Sequence, residues 1–172
     1  MGFRFEKLSV LVVEDTIPMR KLMVSVLESL GIKQISTADS GEKAFEIFQK
    51  ENQDMIITDW QMERMDGIGL TREVRTNLMS PNRMVPMILI TGYSAWTRVA
   101  EARDAGVTEF LVKPFTANDI ARRVAHVINK PRDFIETQDF FGPDRRRRID
   151  PAYKGPMRRK EDGGSMEIGF RN

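Results

Sequence analysis

The chain has 172 residues, 41% hydrophobic and 30% charged, with no cysteine, one histidine and a formal net charge of +2. Without cysteine there is no disulfide framework and no thiolate chemistry, and a lone histidine cannot build a zinc site. No stretch approaches the roughly 20 apolar residues that span a bilayer, and Arg4, Glu6 and Lys7 break any signal-like run at the start, so a cytoplasmic protein of one ordinary domain plus a tail is expected.

In chain order, Leu8 to Val13 is too short and too continuously apolar for an amphipathic helix, and predicts a strand buried on both faces. It ends in Glu14-Asp15. Met19, Leu22, Met23, Val26, Leu27 and Leu30 then recur at helical spacing. A weaker strand fits Gln34 to Ala38, and Ala44, Phe45, Ile47 and Phe48 mark a second helix. Met55 to Ile57 is the next strand and runs towards Asp59; Ile68, Leu70 and Val74 carry a third helix. Met87 to Ile90 ends at Thr91, and Phe110 to Val112 ends at Lys113-Pro114. Ile120, Val124 and Val127 define a last helix, which Pro131 closes.

Strand alternates with helix about five times, which predicts an α/β fold with an open, doubly wound, five-stranded parallel sheet. Ligands of such sheets collect outside the carboxyl ends of the strands. Glu14, Asp15, Asp59, Thr91 and Lys113 all fall there. Any one of them reads equally well as a helix cap, Asp15 and Thr16 especially. Five together, with a lysine among them, point to phosphoryl chemistry instead.

Residues 6–129 resemble the receiver domain of two-component response regulators, of the single-domain, CheY-like kind. The matching pieces are Val12-Val13-Glu14-Asp15, Ile56 to Met62 with Met65-Asp66-Gly67 behind, Ile90-Thr91-Gly92, and Phe110 to Phe115. The resemblance implies a flavodoxin-like (β/α)5 fold and no enzymatic activity beyond self-phosphorylation and hydrolysis of the aspartyl phosphate. It makes Asp59 the nucleophile towards a phosphohistidine on a sensor histidine kinase or phosphotransfer protein. It also implies a Mg²⁺ site from Asp15, Asp59, the backbone carbonyl of Gln61, and Glu14 through water. Lys113 and Thr91 would bind phosphoryl oxygens, and Phe110 would be the aromatic that changes rotamer. Trp60 is expected beside the metal. Glu63 and Arg64 depart from the family, which usually places a proline in this loop.

From residue 130 to 172 the helical pattern stops, and the composition predicts a largely disordered tail. From Pro131 on, ten Lys or Arg stand against eight Asp or Glu, so the chain's whole net charge of +2 lies there. Gly142-Pro143-Asp144-Arg145-Arg146 is echoed by Gly155-Pro156-Met157-Arg158-Arg159, each copy with an aromatic just before it and Arg-x-x-Asp at its end. Such a duplication suits a ligand with two like halves. Arginine forks pair with the guanine edge and with phosphate, and an aspartate can accept from guanine N1 and N2 hydrogens.

The tail resembles the arginine-rich extension of the Cle group of CheY-like proteins, which bind cyclic di-GMP and act on the flagellar motor. That resemblance implies cyclic di-GMP contacts at Arg145, Arg146, Arg147, Arg148, Asp150, Tyr153, Arg158, Arg159 and Asp162, ordering of the tail on binding, flagellar switch proteins as partners at a surface that includes Val99, Arg103, Phe110 and Arg123, and recruitment to the flagellar pole. The alternative is a conventional phosphorelay receiver whose tail is incidental or binds polyanions such as DNA, RNA or anionic lipid. Specific DNA binding is not expected, since the tail is too short for an output domain.

Overall fold

A computed structural model describes residues 5–92, 98–145 and 166–168. Five strands form a parallel sheet in the order β2-β1-β3-β4-β5: β1 (Ser9–Val13), β2 (Gln34–Ala38), β3 (Met55–Asp59), β4 (Met87–Gly92) and β5 (Glu109–Lys113). The helices between and after them are α1 (Ile17–Ser29), α2 (Gly41–Glu51), α3 (Gly67–Thr76), α4 (Val99–Ala105) and α5 (Ala117–Asn129). The doubly wound α/β fold read from the apolar runs is the one observed.

The alternation of side chains along a strand divides the core between the two faces. Val10, Val12, Ile57 and Ile90 pack with Met23 and Leu27 of α1 and with Ile120 and Val124 of α5. Leu11, Val13, Ile56 and Met87 point the other way, against Phe45 and Phe48 of α2 and Leu70 and Val74 of α3. A third cluster, of Trp60, Ile68, Leu89, Ala102, Ala105 and Val107, seats α4.

Caps fix where the helices begin. Ser40 accepts from the Lys43 N–H and Asp66 from the Gly69 N–H, while Thr116 and Asp119 exchange bonds in a capping box at α5. The N-cap of α1 is Thr16, but its side chain makes no capping bond and donates to Glu14 instead.

The chain after α5 departs from the expected free tail. Residues 131–145 are ordered against the receiver, with β6 (Phe134–Glu136) paired antiparallel to β7 (Phe141–Pro143) and to β8 (Met166–Ile168). The segment has too few aliphatic residues for a core of its own, and borrows one through arginine–aromatic stacking. Arg75 of α3 lies over Phe134 at 5.0 Å, Arg83 over Phe141 at 4.0 Å, and Arg145 over Phe140 at 4.0 Å.

Arg75 is buried, and its Nε donates to the Gly106 carbonyl at 3.0 Å and its Nη1 to the Arg83 carbonyl at 2.7 Å. Burial first, and Arg83 beside it second, lower its pKa to about 9, so it stays charged at neutral pH. Gly106 has φ +99° and lies so close to the hairpin that a Cβ there would meet the Phe141 carbonyl at 3.3 Å. Arg132 ties the start of the hairpin to the Thr108 carbonyl.

Candidate functional site

The parallel register brings the carboxyl ends of β1, β3, β4 and β5 to one edge. Val13 stands opposite Thr58, Asp59 opposite Ile90, and Gly92 opposite Lys113. Asp59 is the last residue of β3 and is 6% exposed; the Trp60 N–H donates to the Ile90 carbonyl at 2.8 Å and holds the strand end in place. A Cβ on Gly67 would come within 2.4 Å of the Asp59 carbonyl oxygen, so the loop returning to α3 can close this tightly only over glycine. Within that loop Arg64 takes φ +64°, a left-handed conformation that is uncommon for a side-chain-bearing residue.

Lys113 Nζ lies 2.8 Å from Asp59 Oδ1. The Lys113-Pro114 peptide is cis. Burial raises the pKa of Asp59 above the usual carboxylate range; the bond and charge of Lys113 oppose this, Asp15 adds to it, and the Gln61 N–H opposes it again. Asp15 thus lies near enough to Asp59 to act on its charge, and Gln61 reaches it through its backbone N–H.

Glu14 is also buried. Its Oε1 accepts from the Thr16 N–H at 3.0 Å and the Thr16 hydroxyl at 2.7 Å, while its carbonyl accepts from Arg20 Nη1 at 2.6 Å. Its Oε2 is buried with no hydrogen-bond partner. Burial raises the Glu14 pKa, the Thr16 bonds lower it, and the neighbouring Asp59 and Asp15 raise it further.

These residues fit a hard divalent cation. An orphaned Glu14 oxygen, and neighbouring acids that disfavour the ionisation of Glu14 and of Asp59, call for positive charge at this edge. Among the described residues no three His, Cys, Asp or Glu side chains converge closely enough to enclose a metal by themselves. Mg²⁺ itself keeps several waters and takes few protein ligands.

Thr91 is buried, and its hydroxyl donates to the Gly92 carbonyl at 3.2 Å rather than towards Asp59. Phe110 is half-buried against the third cluster. Thr91 and Phe110 both line a cavity of about 290 Å³ between β4, α4 and β5. Trp60, expected beside the metal, is buried in the third cluster under Arg98, 5.0 Å from its ring.

Of the residues named for the tail, Arg145 is described: it pairs with Asp104 of α4 at 3.0 Å and stacks on Phe140. Arg146, Arg147, Arg148, Asp150, Tyr153, Arg158, Arg159 and Asp162 lie outside the described residues. Sequence reasoning missed Arg75, Arg83 and Arg132. For Arg75 a signal existed, because it continues the buried face of Ile68 and Thr71 at helical spacing.

The family described as the response regulator receiver domain matches residues 10–125. The chemotaxis protein CheY of Pseudomonas aeruginosa is 31% identical over 123 residues, 72% of this chain and 98% of that protein. A probable chemotaxis protein CheY of Rhizobium etli is 38% identical over 112 residues, 64% of this chain and 84% of that one. Among solved structures, CheY4 of Vibrio cholerae superposes with a TM-score of 0.64 at 28% identity, covering 70% of this chain and 98% of that one. The receiver domain of the sensor histidine kinase PA1611 of Pseudomonas aeruginosa, with a magnesium ion coordinated in its active-site cleft, gives 0.64 at 26% identity over 72% of this chain and 98% of that one.

Proposed function

This chain belongs to the response regulator receiver domain family, and from that premise we propose that it is a phosphorylated signalling switch with Asp59 as acceptor. The observation that carries the reading is the buried Asp59 carboxylate at a strand end, held 2.8 Å from Lys113. An Asp59 oxygen attacks the phosphorus of a phosphohistidine on a histidine kinase or phosphotransfer protein. The P–N bond breaks, and its electron pair leaves with the imidazole. Mg²⁺, held by Asp15, Asp59, the Gln61 carbonyl and Glu14 through water, would offset charge on the transferring group.

Lys113 already neutralises the nucleophile's surroundings and needs only to transfer its contact to a phosphoryl oxygen. The Thr91 hydroxyl, now on the Gly92 carbonyl, turns to donate to another. Its movement changes the wall it shares with Phe110, which carries the signal to the α4–β5–α5 face. Chemotaxis, the process named in the relatives' descriptions, is the setting proposed for that signal.

The test is exposure of the whole chain to acetyl phosphate and Mg²⁺, with the mass of the intact protein as readout. One added phosphoryl group that is lost in Asp59→Asn supports the assignment. Uptake that persists in Asp59→Asn sinks it.

A second reading rests on the duplicated Gly-Pro-x-Arg-Arg segment, whose first arginine after Asp144 is anchored on the receiver. In that reading the arginine-rich segment binds cyclic di-GMP and the receiver surface engages a target at the flagellar motor. Calorimetric titration of cyclic di-GMP, with GTP as control, decides it. Selective binding lost when Arg146 to Arg148 are changed to alanine supports a nucleotide-responsive adaptor. Absent or unselective binding returns the segment to polyanion contact.

A further inference from the structure

The start of α1 differs from three other helix starts in what its N-cap does. Ser40, Asp66 and Thr116 each accept from an N–H of the first turn, whereas Thr16 makes no side-chain capping bond. Its hydroxyl donates to Glu14 Oε1 at 2.7 Å, and its N–H donates to the same oxygen at 3.0 Å. No acidic side chain stands in the first turn of α1 either, so the helix forgoes a stabilising contact that a threonine there can supply. Glu14 is 3% exposed, and while both donors fall on one carboxylate oxygen, the other, Oε2, is buried with no hydrogen-bond partner. Arg20 completes the hold: its Nη1 donates to the Glu14 carbonyl at 2.6 Å and fixes the backbone from which the carboxylate projects.

A carboxylate held in this way has one oxygen left to offer a cation, directly or through a water. Ca²⁺ takes roughly six to eight oxygens in a flexible shell and accepts carboxylates through one oxygen or both, whereas Mg²⁺ demands a strict octahedron and keeps much of its water. The number of oxygens within reach and their freedom to move therefore decide between the two ions. We propose that Thr16 is a positioning residue that makes the site around Asp59 select Mg²⁺ over Ca²⁺, by occupying the Glu14 oxygen that a bidentate contact would need. Thr16 acts through Glu14 and does not touch the cation; partners that orient a metal ligand from behind shape affinity much as the ligands do. The inference rests on the Mg²⁺ reading above and deepens it, since it assigns the residue that sets which divalent ion the site prefers.

The test is titration of magnesium chloride and, separately, of calcium chloride into the isotope-labelled full chain at constant ionic strength, with both dissociation constants read from amide NMR shifts. Thr16 is exposed, so Thr16→Val and Thr16→Ser should fold as the parent does, and retained amide dispersion checks it. Thr16→Val keeps the N–H bond to Glu14 and removes the hydroxyl. The expected result is a parent that prefers Mg²⁺, a preference that falls about tenfold in Thr16→Val, and its return in Thr16→Ser. A helix-capping role alone would lower the melting temperature of metal-free Thr16→Val and leave the ratio of the two constants as in the parent. An unchanged ratio therefore overturns the proposal while the Mg²⁺ site stands, and so does a parent that binds Ca²⁺ as tightly as Mg²⁺. No response of the parent to Mg²⁺ overturns the metal reading and the proposal with it.

Discussion

The guanidinium of Arg75 lies 5.0 Å from the centre of the Phe134 ring, so the last turn of α3 and the first residue of β6 close over each other. A buried cation is costly unless its donors are met. Here carbonyls of Gly106 and Arg83 meet two of them, Nη2 is buried without a hydrogen-bond partner, and the ring lies over the group.

Phe134→Ala removes a buried ring and wets that charge. Loss of a buried phenylalanine costs about 3–5 kcal/mol, and urea unfolding of the full chain should show a fall of that order. A chain ending at Lys130 should be weakened similarly. Unchanged midpoints in both would mean that the hairpin is not docked in solution.

Asp104→Ala should behave differently. Asp104 and Arg145 form a pair in which Asp104 is more than half exposed, and such pairs contribute about 0–1 kcal/mol. Stability should barely move. A loss above about 2 kcal/mol would mean that the ion pair, rather than the stacked rings, holds the extension in place.

Burial raises the pKa of both Asp59 and Glu14 above the unfolded values. The folded chain therefore holds these protons to higher pH than the unfolded chain does, and their contribution to stability falls as pH rises through the raised range. Asp59→Asn should be more stable than the parent at neutral pH, and the difference should shrink on acidification towards the unfolded carboxylate range. Thermal melting across weakly acidic to neutral pH measures this; a variant less stable at neutral pH would contradict it.

Mg²⁺ should relieve the same repulsion. At a hundredfold excess over its dissociation constant, a ligand specific to the folded state adds about 2.7 kcal/mol. A rise in melting temperature across millimolar Mg²⁺ is expected in the parent and should be lost in Asp15→Asn. A flat response in the parent would remove the metal assignment.

Lys113→Ala deletes the cation bonded to Asp59 and to the incoming phosphoryl group. A charge-assisted hydrogen bond contributes about 1.5–3 kcal/mol, so phosphorylation by acetyl phosphate should slow roughly ten- to a hundredfold. An unchanged rate would show that Lys113 does not reach the transferring group.

The receiver was legible because its signals are local. Continuous apolar runs such as Leu8 to Val13 can only be buried strands, and each ends in the polar residue that the sheet carries to its functional edge. Adjacency to Asp59 does not tell which side of the strand end the Trp60 ring takes; it follows Ile68 and Leu89 inward. The hairpin of residues 134–143 was hidden because half of its core belongs to α3 and to the turn before β5. No composition of the segment alone reports Arg75, Arg83 or Gly106, which lie far from it in sequence.

That division of one core between distant segments makes the extension recognisable elsewhere. In a receiver that stops after α5, Arg75 would keep its bonds to the Gly106 and Arg83 carbonyls but lose the ring over it, and a phenylalanine at the position of Phe134 has no guanidinium to cover without Arg75. In divergent chains the two should be gained and lost together, with glycine retained where Gly106 and Gly142 let the backbones touch. A paired substitution of this kind would date the extension's attachment to the domain more reliably than any likeness among the tails.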